Sequence, residues 1–323
     1  MLTGCSILIS AVVSLFPADA RPLPDAVPLL DAMLLLDADP KHPMDYAKEG
    51  DFYNALRLAR ELAKENPEDA DAFGFLGEIE YEMTHLEDSR EALEKAIELA
   101  PDRWGARGAL TLSRIDFLEG DDEAVRKSLA KVDDEAWVKA TLPQLMSPPE
   151  MEVKRTRNYI VYADPGMVAK GGLDAAAQVM EIVHKSYTKV IPFKTDKTIS
   201  RVYVLSTNEK YAAFNTAVTG DAAENTLGYF APSLRILVIN ADPRDYKEIY
   251  GGITADSMDT MFHEGFHQFA RLHAPDIHVW FNEGMAEYFG IGGKITRKSL
   301  TYGNVPTKHP SRLDNIRWSI QGE

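Results

Sequence analysis

Cysteine is nearly absent: the 323 residues hold one, Cys5. A disulfide within the chain is therefore excluded, as is a cysteine-rich zinc module, so any zinc site must be built from His, Asp or Glu. Positive charge is scarce too, with 35 Lys+Arg against 50 Asp+Glu and a formal net charge of −15. No basic stripe exists to neutralise phosphates, which argues against nucleic acid as a partner. Three Gly-Gly pairs (Gly171-Gly172, Gly251-Gly252, Gly292-Gly293) lack a following Gly-Lys-Ser/Thr and are hinges or caps, not phosphate loops. The apolar run from Ser6 to Phe16 is too short for a membrane span.

What is present is unevenly placed. Residues 1–150 carry a balance of −16 and residues 151–323 a balance of +1, a step that points to two modules. At the N-terminus the apolar run is followed by Ala18-Asp19-Ala20, a small-x-small site suited to signal peptidase, so residues 1–20 read as a signal peptide. "LTGC" adds a resemblance to a lipoprotein box. Export is the expected localisation: periplasmic, extracellular or anchored as a lipoprotein, with no transmembrane span in the mature chain. Residues 21–44 read as a Pro-rich linker containing a short helix, "VPLLDAMLLLD".

Residues 45–141 show helical periodicity. "ALRLARELAKENP" ends at Pro67 and "ALEKAIELAP" at Pro101, one 34-residue period later. That period, with Phe73, Leu76-Gly77, Ser89, Leu93, Ala96 and Pro101 at signature positions, resembles the tetratricopeptide repeat. Gly77 and Ser89 would let paired helices approach while Phe73, Leu76 and Leu93 fill the seam. Gly50 to Leu56 and Gly120 to Val132 look like second helices of degenerate flanking units. Such repeats imply a docking annex for a protein partner. Residues 142–152, with Pro143, Pro148 and Pro149, read as the linker to a second domain at 153–323.

In that domain "NYIVYAD", "RVYVLS" and "LRILVIN" read as strands. "LDAAAQVMEIVHKSYTKV" (Leu173 to Val190) has helical spacing, and "GYFAPSLRILVIN" reads as a hairpin turning at Pro232-Ser233. The order predicts an α+β domain behind an all-α module. Then comes "MFHEGFHQFA" from Met261. On a helix, His263 and His267 share one face and can present two imidazoles to one cation, with Glu264 standing off the metal as a proton acceptor. Asp256 with Asp259 resembles a capping box for this helix, and Met258, Met261, Phe262, Phe266, Phe269 and Leu272 supply its apolar faces. Gly265 costs about 1 kcal/mol in a helix interior, so a close neighbour, a strand or a substrate backbone, is expected against it.

Two residues compete as third ligand. His273 stands where a metzincin carries its third histidine, but the glycine that such a turn requires is Ala270 here. Glu283, in "WFNEGMAEYF" from Trp280, would complete a site of two histidines and a glutamate with the fourth position open. Glu287, one turn on, can hydrogen-bond a ligand imidazole, with His263 the expected partner. Trp280, Phe281, Met285, Tyr288 and Phe289 are expected to surround these carboxylates, as suits site residues more than surface acids.

"HEGFHQ" followed at short range by "WFNEGMAEYF" resembles the gluzincin metallopeptidases, above all the bacterial peptidase-MA-like group. The resemblance spans about Val153 to Gly293 and is sharpest from Asp259 to Phe289. It implies Glu283 as third ligand of one Zn2+, a small mixed sheet above the motif helix, and an edge strand, from "GYFAPSLRILVIN", that pairs with an extended peptide or protein substrate. Members usually continue with further helices; this sequence passes to a polar tail ending "RWSIQGE", as a C-terminally incomplete domain would. Tyr302 and His309 are the candidates there for an oxyanion donor. The expected activity is zinc-dependent peptide hydrolysis with Glu264 as general base. The alternative is a non-catalytic exported repeat scaffold that retains a metal site.

Overall fold

The computed structural model describes residues 41–132, 137–192, 198–220, 226–242, 248–292, 294–295 and 300–301. The signal peptide and nearly all of the Pro-rich segment therefore lie outside the described residues, as do Tyr302 and His309. The chain divides into two compact units, Met1–Met146 and Ser147–Glu323. Among the described residues no helix is long and apolar enough to cross a membrane.

The first unit is helical: α1 (Pro43–Lys48), α2 (Phe52–Glu65), α3 (Ala70–Glu82), α4 (Leu86–Leu99), α5 (Pro101–Glu119), α6 (Asp122–Leu129) and α7 (Trp137–Met146). Asp51, Asp69 and Asp121 cap α2, α3 and α6 with their carboxylates, the role short acids fill at helix starts. α3 and α4 approach closely because Gly77 has no side chain: a Cβ there would lie 2.6 Å from Leu93 Cγ. Ser89 Oγ donates to the Gly77 carbonyl at 2.6 Å across the same seam. Gly74 likewise admits the Trp104 indole of α5, whose Nε1–H donates to Asp71 at 2.9 Å.

The expected linker beginning at Leu142 needs correction. Residues 142–146 belong to α7, with Leu142, Leu145 and Met146 buried, and Pro143 lies inside the helix. Burial of these side chains outweighs what the proline costs, so the break starts only at Ser147.

The second unit is mixed α/β. Its strands and helices run β1 (Glu152–Arg155), β2 (Tyr159–Ala163), α8 (Pro165–Val168), α9 (Gly172–Val190), β3 (Ser200–Leu205), α10 (Asn208–Thr219), β4 (Gly228–Ala231), β5 (Ile236–Asn240), β6 (Glu248–Tyr250), β7 (Ile253–Thr254), α11 (Ala255–His273), α12 (Val279–Gly292), β8 (Lys294–Ile295) and β9 (Leu300–Thr301). Five strands form one sheet in the order β1-β2-β3-β5-β4. β2, β3 and β5 are mutually parallel; β1 and β4 join the two ends antiparallel. The three parallel strands are buried along their whole length, which is why their sequences are continuous apolar runs rather than alternations. Val161, Val202, Leu237 and Ile239 share one core with α9 and α11. On the other face Tyr162 stacks on Tyr203 at 4.8 Å, and Phe214 of α10 packs against Tyr203.

β4 and β5 form the hairpin, with Ala231 opposite Ile236 and Arg235 in the left-handed region at φ 54°. Among the described residues β4 is thus an edge strand. At Gly228 a Cβ would sit 2.7 Å from the Val238 carbonyl and 3.0 Å from Thr260 of α11, so glycine is what lets this strand lie against that helix.

Candidate metal centre

α11 carries the His-Glu-x-x-His stretch, and its start is fixed by tertiary structure. The cap is Thr254, whose Oγ1 accepts the Ser257 N–H at 3.1 Å, not the expected Asp256. The Ser257 hydroxyl in turn donates to the Asn240 carbonyl at the end of β5, at 2.9 Å. A threonine leaving β7 in extended backbone geometry satisfies the N-cap requirement one residue before the helix, which leaves Asp256 inside the first turn. The predicted apolar residues Met258, Met261, Phe262, Phe266, Phe269 and Leu272 are all buried.

Gly265 faces α9. A Cβ there would stand 3.1 Å from Tyr187 Oη and 3.2 Å from Met180 Cε. The expected close neighbour is thus chiefly two side chains of a neighbouring helix, with Leu237 of strand β5 next at 3.8 Å. Tyr187 uses the room to donate its hydroxyl to the Phe262 carbonyl at 2.6 Å.

α12 runs antiparallel to α11: His263 meets Glu287 and Gly290, while His267, one turn later, meets Asn282 and Glu283. Gly290 permits the approach, since a Cβ there would lie 3.1 Å from His263 Cβ. The result brings three donors together. His263 Nε2 and His267 Nε2 are 3.2 Å apart; Glu283 Oε2 is 3.9 Å from the first and Glu283 Oε1 3.6 Å from the second. Ligand atoms about 2.0–2.1 Å from a tetrahedral ion are about 3.3–3.4 Å from one another, close to this spacing.

The outer nitrogens are held as well. His263 Nδ1 faces Glu287 Oε1 at 3.4 Å, and His267 Nδ1 faces Asn282 Oδ1 at 3.1 Å. An acceptor on each Nδ1 selects the tautomer protonated there. The two Nε2 lone pairs then point at each other at 3.2 Å, an arrangement that repels unless a cation or a shared proton lies between. Two neutral imidazoles and a carboxylate form a donor set that fits Zn2+.

Glu264 lies between this cluster and the sheet. Its Oε2 accepts the Phe230 N–H of β4 at 3.0 Å. Burial pushes its carboxyl above the usual range; the Phe230 N–H opposes the shift, and Glu283 and Glu287 add to it. A carboxylate so placed is more basic than a solvated one.

His273 is elsewhere. α11 continues unbroken through Ala270, and the His273 ring packs 4.6 Å from Phe269 and 6.5 Å from His184. Burial, reinforced by His184, pushes His273 down to about 3. The metzincin-like alternative is thereby removed. The expected apolar surround of Glu283 is one-sided: Phe289 is buried, whereas Trp280 is 74% and Tyr288 38% exposed, because only one flank of α12 meets α11. A second convergence, Glu80, His85 and Asp88, already holds a cation: Arg60 lies 2.8 Å from Glu80 and 3.5 Å from Asp88.

Two contributors were not foreseen from sequence. Asn282 carried a signal, since it adjoins Glu283 directly. The Phe230 N–H carried none, because backbone groups have no residue identity. No protein-family model matches this chain, and no curated protein matches it.

Proposed function

We propose that this protein is a zinc-dependent peptidase of gluzincin type, with His263, His267 and Glu283 as ligands of one Zn2+ and Glu264 as general base. The observation that carries the reading is the convergence of two Nε2 atoms and one carboxylate within 3.2–3.9 Å of one another, with both outer nitrogens already facing acceptors.

Zinc held there would supply a Lewis acid for a peptide carbonyl and its attacking water. The chain's own residues do the rest. Glu287 and Asn282 hold the imidazoles in the ligating tautomer. Glu264 Oε1 is left to take a proton from water while Oε2 stays on the Phe230 N–H, and the same carboxyl then gives that proton to the leaving amine. β4 offers an edge along which an extended peptide can lie. A metal site of purely structural use has no need of a non-ligating acid at Glu264, which weighs against a scaffold that merely retains its metal.

The helical unit belongs to the proposal as a tetratricopeptide-like annex for a protein partner, supported by the α3–α4 seam at Gly77, Ser89 and Leu93. Export is proposed from the pattern of residues 1–20.

The test measures zinc content and cleavage of denatured casein for wild type and Glu264→Gln. Wild type should bind one zinc and cleave; the variant should bind zinc and lose turnover by about 100-fold or more. A zinc-loaded variant that matches wild-type turnover refutes the general-base role.

A further inference from the structure

The first turn of α12 leaves conspicuous apolar surface in water. Val279 is 66% and Trp280 74% exposed, and with Tyr288 they place three of the seven large exposed apolar side chains among the described residues on this one helix. Side chains left in water this way forgo the hydrophobic gain that burial would bring. The same helix buries Ala286 and Phe289, so the exposure is local to its outer flank and first turn.

Helical spacing fixes where that surface lies. Val279 and Trp280 precede Glu283 by four and three residues, which sets them one turn away on the flank that presents the Glu283 carboxylate. They are therefore the neighbours of Glu283 on the N-terminal side of the same helix flank. Across the centre stands the edge of β4. Asn240 N–H donates to the Leu227 carbonyl, so Leu227, and in alternation Tyr229, turn their backbone groups toward β5. Gly228 and Phe230 turn theirs outward, as the bond from Phe230 N–H to Glu264 requires. A peptide laid on this edge sends alternate side chains to opposite sides. The side chains on the α11–α12 side have Val279 and Trp280 as the apolar surface beside Glu283.

Two chemistries suit an exposed indole: an apolar or aromatic side chain, and a cation over its face. Val279 offers a cation nothing, and the pair together favours the first. We propose that Val279 and Trp280 form the recognition surface for an apolar or aromatic substrate side chain next to the cleaved bond. This rests on the peptidase reading and adds the substrate class to it.

The zinc-loaded full chain is incubated with denatured casein and the cut bonds are mapped by mass spectrometry. Wild type should cut beside Phe, Leu, Tyr or Trp about 10-fold more often than beside Gly or Lys. Trp280→Ala, at equal zinc content, should bring that ratio toward one. Cuts indifferent to side chain, cuts favouring Lys or Arg, or an unchanged pattern in Trp280→Ala overturn the assignment while leaving hydrolysis intact. A second readout needs no turnover. In zinc-loaded Glu264→Gln, acrylamide quenching of tryptophan fluorescence is measured with N-acetyl-Gly-Gly-Phe-Leu-Gly-amide and with its all-glycine counterpart; the same chain carrying Trp280→Ala isolates the Trp280 signal. Shielding of Trp280 by the Phe-Leu peptide alone supports the surface even where casein stays uncut, and that outcome counts against the hydrolase reading only. No shielding by either peptide overturns the proposal. Shielding that grows with protein concentration in the absence of peptide assigns the surface to a second copy of the chain and likewise overturns it.

Discussion

Replacing Glu287 by Ala isolates the part of the site that orients rather than binds. The carboxylate stands 3.4 Å from His263 Nδ1, longer than the about 2.7–2.9 Å of a tight charge-assisted bond. Loss of an acceptor behind a ligating imidazole weakens metal binding by about 10–100-fold, and the long contact places Glu287→Ala near the lower end. A tenfold loss corresponds to about 1.4 kcal/mol. Asn282→Ala removes the closer, 3.1 Å contact of the other ring, but a neutral acceptor, so a loss of similar size is expected. The assay is competition for Zn2+ against a chelator of known affinity, with thermal melting of the zinc-free chain as control. Melting should change little for Glu287→Ala, because a quarter of this side chain remains in water and it lies outside the apolar core. Glu287→Gln, which keeps an acceptor oxygen, should recover part of the affinity. A zinc affinity for Glu287→Ala within twofold of wild type, at unchanged melting, would refute the claim that outer acceptors preset the imidazoles. The double variant should lose somewhat less than the product of the two single losses, since both rings serve one ion.

Other outcomes follow from the same geometry. Gly74→Ala drives a methyl into the buried Trp104 indole and should destabilise the helical unit by about 1–3 kcal/mol, read by urea melts. Gly265→Ala gains up to about 1 kcal/mol of helix propensity but presses on the Tyr187 hydroxyl. Its melting temperature should not rise; a clear rise would mean that the α9–α11 approach is loose. The Glu80 hydrogen bond raises His85 above its usual range. Its stabilisation is therefore complete below about pH 6.5 and fades as pH rises through the higher folded value, and His85→Asn should abolish that part of the pH dependence in urea melts. For Glu181, burial alone would raise the carboxyl, yet bonds from Asn158 and Thr156 together hold it below the usual range. Its contribution is present above the unfolded value and fades as pH falls through the lower folded one, so Glu181→Gln should flatten the acid limb of stability.

What the sequence disclosed was chiefly what depends on periodicity. Residues four apart on α11 had to share a face, and β2, β3 and β5 announced themselves as uninterrupted apolar runs. The start of α11 was not legible, because Thr254 and Asp256 both offer a local cap, and the Asn240 carbonyl that ties down Ser257 in favour of Thr254 is a partner only folding brings near. Pro143 misled for a related reason: local chemistry argues for a break, while burial of Leu142, Leu145 and Met146 holds the helix. Gly265 signalled a close neighbour without naming it, since Tyr187 and Met180 lie far away in sequence. Trp280 was expected around Glu283, but its exposure was not legible, because composition shows that a stretch is apolar and not which flank of its helix finds a partner.

Tyr187 reaches from α9 to the carbonyl immediately before the first candidate ligand, so the turn bearing His263 is bolted to the interior of its unit. That turn cannot fray by itself. The amide of Phe266, which shares the Phe262 oxygen with the phenol, should exchange with solvent deuterium only when the whole second unit opens. Loss of grip on a bound ion would then keep pace with global unfolding rather than with breathing at the surface.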